Sequence, residues 1–89
     1  MQKNDLKSII LSILEDKEIY QEGIGVYFID ILDKLREYSI IKKNISKEDY
    51  KKIIRKVQDI LRELEDKNLV EERFFTESKY RGIVAYEKY

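Results

Sequence analysis

The sequence contains no cysteine, histidine, tryptophan or proline. Without cysteine the chain can form neither disulfides nor thiolate metal sites, and without histidine it lacks the commonest general base and zinc ligand. Carboxylate pairs such as Asp30/Asp33 and Glu71/Glu72 remain, but pairs of this kind are typical of a solvated surface. We therefore predict no catalytic residues, no cofactor, no metal site and no enzymatic activity.

Long hydrophobic runs are also missing. No apolar segment approaches the roughly 18 residues that span a membrane, and the charged N-terminal stretch contains no signal-peptide cleavage site. We therefore expect a cytoplasmic protein. Its 89 residues suit a single domain with a hydrophobic core, although charged residues make up 40% of the chain. This lysine- and glutamate-rich composition is typical of an AT-rich genome or of a thermophile.

The charges balance overall but are unevenly distributed along the chain. The 18 basic and 18 acidic side chains give zero net charge, which by itself disfavours a general nucleic-acid coat protein. Residues 1–39 carry a net charge of −3, and residues 63–89 carry −2. Residues 40–62 carry eight basic and three acidic side chains, a net charge of +5. Because local potential decides where an anion docks, this middle segment is the predicted binding region.

Hydrophobic periodicity predicts two helices in the first half of the chain. The first is predicted over residues 5–17, with Asn4 or Asp5 as its cap. The second is predicted over residues 28–38, with an apolar stripe that includes Tyr38. The polar side chains of this second helix should face water. They are Asp30, Asp33, Lys34, Arg36 and Glu37.

A third helix is the clearest element of the sequence, predicted over residues 46–67. Ser46 and Asp49 form a variant capping box at its start, with an acid shorter than the usual glutamate. Asn68 should take the left-handed position after its last turn. The partly apolar connector before it, residues 39–45, should tuck an isoleucine under the helices.

The remaining segments lack helical periodicity. Residues 18–27 contain Gly23 and Gly25, which interrupt any helix, and a short extended segment is expected around Ile24 and Val26. Residues 69–89 contain two runs of β-branched and aromatic residues around a polar turn, a pattern that predicts a β-hairpin. The fold class is therefore α+β, with three helices followed by a two-stranded hairpin.

This order of elements resembles the winged helix-turn-helix domain over about residues 5–89. The residues that carry the resemblance are GVYFIDILDKL at 25–35, entering the second helix, and DILRELEDKNLV at 59–70, leading into the hairpin, or wing. The family often has glycine where this chain has Asn68. The chain is most similar in type to the small transcription regulators of archaea and of their viruses and plasmids.

The resemblance implies double-stranded DNA as the partner and transcriptional regulation as the function, with the third helix in the major groove and the wing on phosphates. Lysine and arginine would hold phosphates, whereas Asn44, Ser46, Lys52 or Arg55 would read base edges. Tyr80 is the one aromatic residue expected to be exposed for contact. The predicted DNA-binding residues are Lys42, Lys43, Asn44, Ser46, Lys47, Lys51, Lys52, Arg55 and Arg62, with Lys79, Tyr80 and Arg81 at the wing.

Other interpretations remain open at this point. A lysine-rich helix face is often only a solvated surface. Winged-helix domains also resemble interaction modules that bind a larger protein in replication, transcription or segregation complexes, and zero net charge favours that function. A DNA-binding domain of this size commonly acts as a homodimer on a two-fold operator. The first helix and residues 83–89 are the candidate dimer contacts, and association with the nucleoid would follow from DNA binding.

Overall fold

The computed structural model describes residues 3–75 and 83–88. These residues form three helices and a three-stranded antiparallel sheet, joined by loops. The strands are arranged in the order β1–β3–β2. This architecture confirms the predicted α+β class and the predicted order of elements. The elements are α1 (Lys3–Leu14), β1 (Val26–Tyr27), α2 (Phe28–Glu37), α3 (Lys47–Asp66), β2 (Val70–Phe75) and β3 (Ile83–Lys88).

The hydrophobic core lies where α1 packs against α2, α3 and β3, and where α3 packs against β2. Burial of each large aliphatic side chain contributes about 1.5–3 kcal/mol, so the apolar faces of the helices hold the layers together. Ile41 confirms that an isoleucine of the connector is buried, at 2% exposure. The other core residues are Leu6, Ile10, Ile13, Leu14, Val26, Ile31, Leu32, Leu35, Val57, Ile60, Leu61, Leu64, Val70 and Tyr86.

Left-handed residues end both α2 and α3. Asn68 has a φ of 58°, as predicted, and the next amide, that of Leu69, donates to the Leu64 carbonyl at 2.9 Å. This is the Schellman pattern, which satisfies carbonyls that the helix itself leaves unpaired. The same pattern closes α2 at Ser39, whose φ is 60°. Serine is not a typical residue for this position, so the sequence did not indicate it.

The predicted ends of the first helix were both wrong. The helix begins before Asn4 and Asp5, so neither residue caps it, and Asp5 lies in the first turn. It ends at Leu14, three residues earlier than expected. Just beyond that end, the Asp16 carboxylate accepts the Glu18 amide at 2.9 Å. Such a local turn competes with helical hydrogen bonds, which explains the early end.

Two side chains of α2 also contradict the predicted pattern. Lys34 was expected to face water, but it is buried, with 8% exposure. Tyr38 was expected in the apolar stripe, but it is 48% exposed because the helix has already ended at Glu37. The stripe of α2 is therefore one turn shorter than the sequence indicated.

The segment before β1 approaches the sheet closely. Gly25 has a φ of 98°, and a Cβ atom at that position would lie 2.4 Å from the carbonyl oxygen of Tyr86. Val26 then pairs with Tyr86, and Tyr27 pairs with Ala85, which adds β1 to the free side of β3. The short extended segment expected around Ile24 and Val26 is confirmed at Val26, but Ile24 lies in the turn before the strand. Its pairing with β3 makes the sheet three-stranded.

Candidate functional site

The rotation of α3 is set by its cap and by its buried side. Ser46 precedes the helix, and its Oγ accepts the Asp49 amide at 3.1 Å, which confirms the predicted cap. Val57, Ile60 and Leu61 are buried on one side, at 1% exposure or less. Because a helix turns about 100° per residue, this burial turns the basic residues of α3 away from the core.

The predicted DNA-binding residues that fall within the described ranges are all exposed. The wing residues Lys79, Tyr80 and Arg81, together with the hairpin turn, lie outside the described residues. The exposed set comprises Lys42, Lys43, Asn44, Ser46, Lys47, Lys51, Lys52, Arg55 and Arg62.

Three of these cations form a stripe along one side of α3. Lys51, Arg55 and Arg62 are four and seven residues apart, so they follow one another along the helix surface. We call these three residues the basic ridge. Glu48 and Asp59 are exposed beside it, so the potential of the ridge is lower than three cations alone would produce.

The structure brings other predicted residues together in a different place. A groove of about 590 Å³ runs between the connector and the side of α3 that lies away from the basic ridge. We call it the connector groove. Its polar lining includes Asn44, Ser46 and Asp49. Its floor isoleucines are Ile40, Ile45 and Ile53, all half-buried, and its rim lysines are Lys42, Lys52 and Lys56, all exposed.

Lys56 was not among the predicted site residues. It lies in the basic middle segment, but the sequence offered no reason to separate it from other solvated lysines. Its position four residues after Lys52 places both on the same side of α3. Proximity of the connector to that side, visible only in three dimensions, turns the pair into part of a groove.

Ion pairing distinguishes the basic segment from the rest of the chain. In residues 3–75 and 83–88, no ion pair involves any of the eight basic side chains of residues 40–62. Among described basic side chains elsewhere, Lys17 is the exception in having no ion pair. The remaining ones, Lys7, Lys34, Arg36, Lys67, Arg73 and Lys88, all pair with carboxylates. Cations without an ion pair are available to bind an external anion. Arg62 is partly offset, because it lies close enough to Glu65 to oppose the rise in the pKa of that carboxyl.

Arg73 of β2, unlike the cations of residues 40–62, binds carboxylates of the protein itself. Its guanidinium pairs with Glu87 at 2.6 Å and with Glu71 at 3.3 Å, and it donates a hydrogen bond to the Gly23 carbonyl. The Tyr20 hydroxyl donates to Glu87 at 2.8 Å, and this bond raises the pKa of that tyrosine. These contacts hold the loop before β1 on the sheet, so Arg73 is a positioning residue.

The exposed aromatic residues differ from the prediction. Tyr20 and Tyr38 are 38% and 48% exposed, so Tyr80 is not the only aromatic candidate for contact. Tyr50 packs against the core and accepts a hydrogen bond from Arg36 at 3.0 Å, which ties α3 to α2. Tyr86 is buried, and burial raises its pKa to about 12.

Lys34 lies at the centre of an acidic cluster on the face formed by α2 and the end of α1. Its ammonium group is 3.2 Å from Asp16, 3.4 Å from Glu18 and 3.4 Å from Glu37. The hydrogen bond to Asp16 is the largest cause that raises the pKa of Lys34. The hydrogen bond from the Glu18 amide is the largest cause that lowers the pKa of Asp16, and the hydrogen bond from Lys34 is the second. This face is therefore acidic at its edge but neutralised at its centre.

We expect Lys34→Gln to lower the melting temperature at neutral pH, because three carboxylates lose their shared cation. Because the pKa of Asp16 is depressed, its ionised carboxylate stabilises the fold above the ordinary pKa of 3.8. This stabilisation is lost as the pH falls. Because the pKa of Lys34 is raised, its ammonium group stabilises the fold below the ordinary pKa of 10.5. This stabilisation is lost only as the pH rises through the pKa of the folded state. The difference between variant and wild type should therefore shrink as the pH falls below 3.8. Thermal unfolding followed by circular dichroism across that range measures it.

Lys17→Gln is the matched control, because Lys17 has no ion pair with the described residues. We expect it to leave the melting temperature nearly unchanged. A loss for Lys34→Gln that is equally large at neutral and at acid pH would contradict the ion-pair explanation.

Two further properties bear on the function of the described residues. Within residues 3–75 and 83–88, no cluster of three or more acidic side chains is arranged to hold a metal ion. No described helix is both long enough and apolar enough to cross a membrane.

Comparisons of the chain with models of known protein families, with curated proteins and with solved structures gave no significant match.

Proposed function

We propose that the chain is a winged-helix protein that binds double-stranded DNA and acts as a transcriptional regulator. The order of helices and strands supports the winged-helix assignment, as does the pairing of β1 with β3. The observation that carries the DNA proposal is the basic ridge, an exposed row of cations without ion pairs to the described residues. No enzymatic activity is part of the proposal.

In this mechanism α3 enters the major groove with the basic ridge toward the DNA. Lys51 and Arg62 bind phosphates on either side of the groove, and Arg55, between them, reaches base edges. Lys43 and Lys47 extend the cationic surface toward the start of α3, where the helix dipole also favours phosphate. The wing residues Lys79 and Arg81 then hold the phosphate backbone beyond the helix.

Fluorescence anisotropy on a labelled random-sequence duplex of about 25 base pairs tests this proposal. We expect affinity to fall steeply with salt, with a logarithmic slope of about −3 or steeper, because each phosphate that a lysine or arginine of the proposed surface neutralises contributes about −0.9. The same measurement with the unlabelled duplex as competitor shows whether binding is reversible. A folded protein that fails to bind at low salt would overturn the DNA proposal.

The wing contribution has its own expected result. Lys79→Ala combined with Arg81→Ala should weaken binding to all duplex sequences alike and reduce the salt slope by about one or two units. Salt titrations of wild type and variant on two unrelated duplexes measure both effects. A variant with an unchanged slope would show that these two side chains do not contact phosphate.

A further inference from the structure

The connector groove combines two chemistries that a DNA-binding surface does not need together. Its floor isoleucines remain only half-buried, although the chain has a well-packed core elsewhere. Its rim lysines have no ion pair with any residue in the described part of the chain. Phosphates would use the lysines but would gain nothing from the isoleucines, because phosphates have no apolar surface to bury.

The composition of the groove selects a ligand with both carboxylates and an apolar group. The floor favours a large aliphatic or aromatic side chain, and the rim favours anions placed on both sides of it. Asp49 offsets one of the rim charges and lies beside the helix start, so it discourages an anion at that end of the groove. The volume of about 590 Å³ lies within the roughly 300–1,000 Å³ of sites that accept a few side chains or one small molecule.

We propose that the connector groove binds an acidic peptide segment of a protein partner. A leucine, isoleucine or phenylalanine of that segment packs on the floor isoleucines, and flanking aspartate or glutamate residues pair with the rim lysines. The groove is lined by residues of both the connector and α3, so a bound segment would contact both. This site is separate from the basic ridge, so it does not depend on the DNA proposal.

Selection from a phage-displayed library of random peptides of about 12 residues, on the immobilised full chain, tests the proposal. We expect enrichment of sequences in which acidic residues flank a large apolar residue. A selected peptide, synthesised with fluorescein, should bind wild type with a Kd on the order of 10 µM. Affinity should fall at least about tenfold for the chain with Lys52→Glu and Lys56→Glu, because the rim then repels the peptide.

Two controls separate the groove from general charge attraction. Replacing the apolar residue of the selected peptide by serine should also cost about tenfold or more, and it leaves the protein unchanged. The ridge variant Lys51→Glu with Arg55→Glu has the same change in charge and should keep peptide binding, whatever it does to DNA binding.

Three results would overturn the proposal. The first is a selection that enriches no acidic and apolar sequences, and the second is a selected peptide that binds the rim variant as tightly as wild type. The third is a rim variant that loses duplex affinity as strongly as the ridge variant, which would assign the groove to nucleic acid. If the ridge variant loses only DNA binding, or if wild type does not bind DNA at all, the result concerns the proposed function and not the connector groove.

Discussion

A chain that carries Lys51→Glu and Arg55→Glu is expected to lose at least about 100-fold of its affinity for duplex DNA at moderate salt. Each substitution removes a cation from the basic ridge and places a carboxylate against the negatively charged DNA. Both side chains are exposed and have no ion pair with the described residues, so the fold should be unaffected. Anisotropy titrations against wild type, with circular dichroism as the check on folding, measure this loss.

The same helix offers a control matched in charge. Lys52→Glu with Lys56→Glu changes the net charge by the same amount but lies in the connector groove. We expect this control to lose much less duplex affinity, because only long-range attraction is weakened. Unchanged duplex affinity in the ridge variant would remove the exposed face of α3 from the proposed mechanism.

Gly25→Ala is expected to destabilise the protein by about 3–5 kcal/mol, a large share of the stability of a small domain. The added Cβ would lie 2.4 Å from the Tyr86 carbonyl oxygen, and the φ of 98° is strained for alanine. Relief requires β1 to move away from β3, which breaks the pairing of Val26 with Tyr86. Urea unfolding followed by circular dichroism measures the change, and a variant that fails to fold exceeds the expectation.

Gly23→Ala separates the close approach from the backbone conformation. Gly23 has a φ of 80°, but a Cβ there would meet no atom within 4 Å. We expect a loss of about 1–2 kcal/mol, from the positive φ alone. Equal losses for the two substitutions would contradict the explanation that contact with β3 makes Gly25 necessary.

Helix identity was predictable because it depends on local spacing. The apolar residues of α3 recur at three and four residues, and Ser46 and Asn68 are suited to the positions just outside its ends. All three features act within a few residues of one another. The first helix was less predictable at its ends. The free energies of the Asp16 turn and of a continued helix differ only slightly, so the sequence pattern does not decide between them.

Burial of a charged side chain was not predictable. Lys34 has the sequence neighbours of a solvated lysine, and only the return of the segment after α1 brings Asp16 and Glu18 to it. The same holds for β1, since two residues carry almost no strand pattern. Its pairing with β3, some 60 positions later by the register of Val26 with Tyr86, depends on the approach that Gly25 allows.

Local sequence patterns were sufficient to predict the helices, the hairpin strands and the segment that carries the positive charge. These follow from periodicity and from charge counts, which require no knowledge of distant contacts. Tertiary structure alone divided that charge into two surfaces. Lys51 and Lys52 are adjacent in sequence, yet the rotation of α3 against the core sends one to the basic ridge and the other to the connector groove. The connector completes the groove only because burial of Ile41 holds it beside the helix.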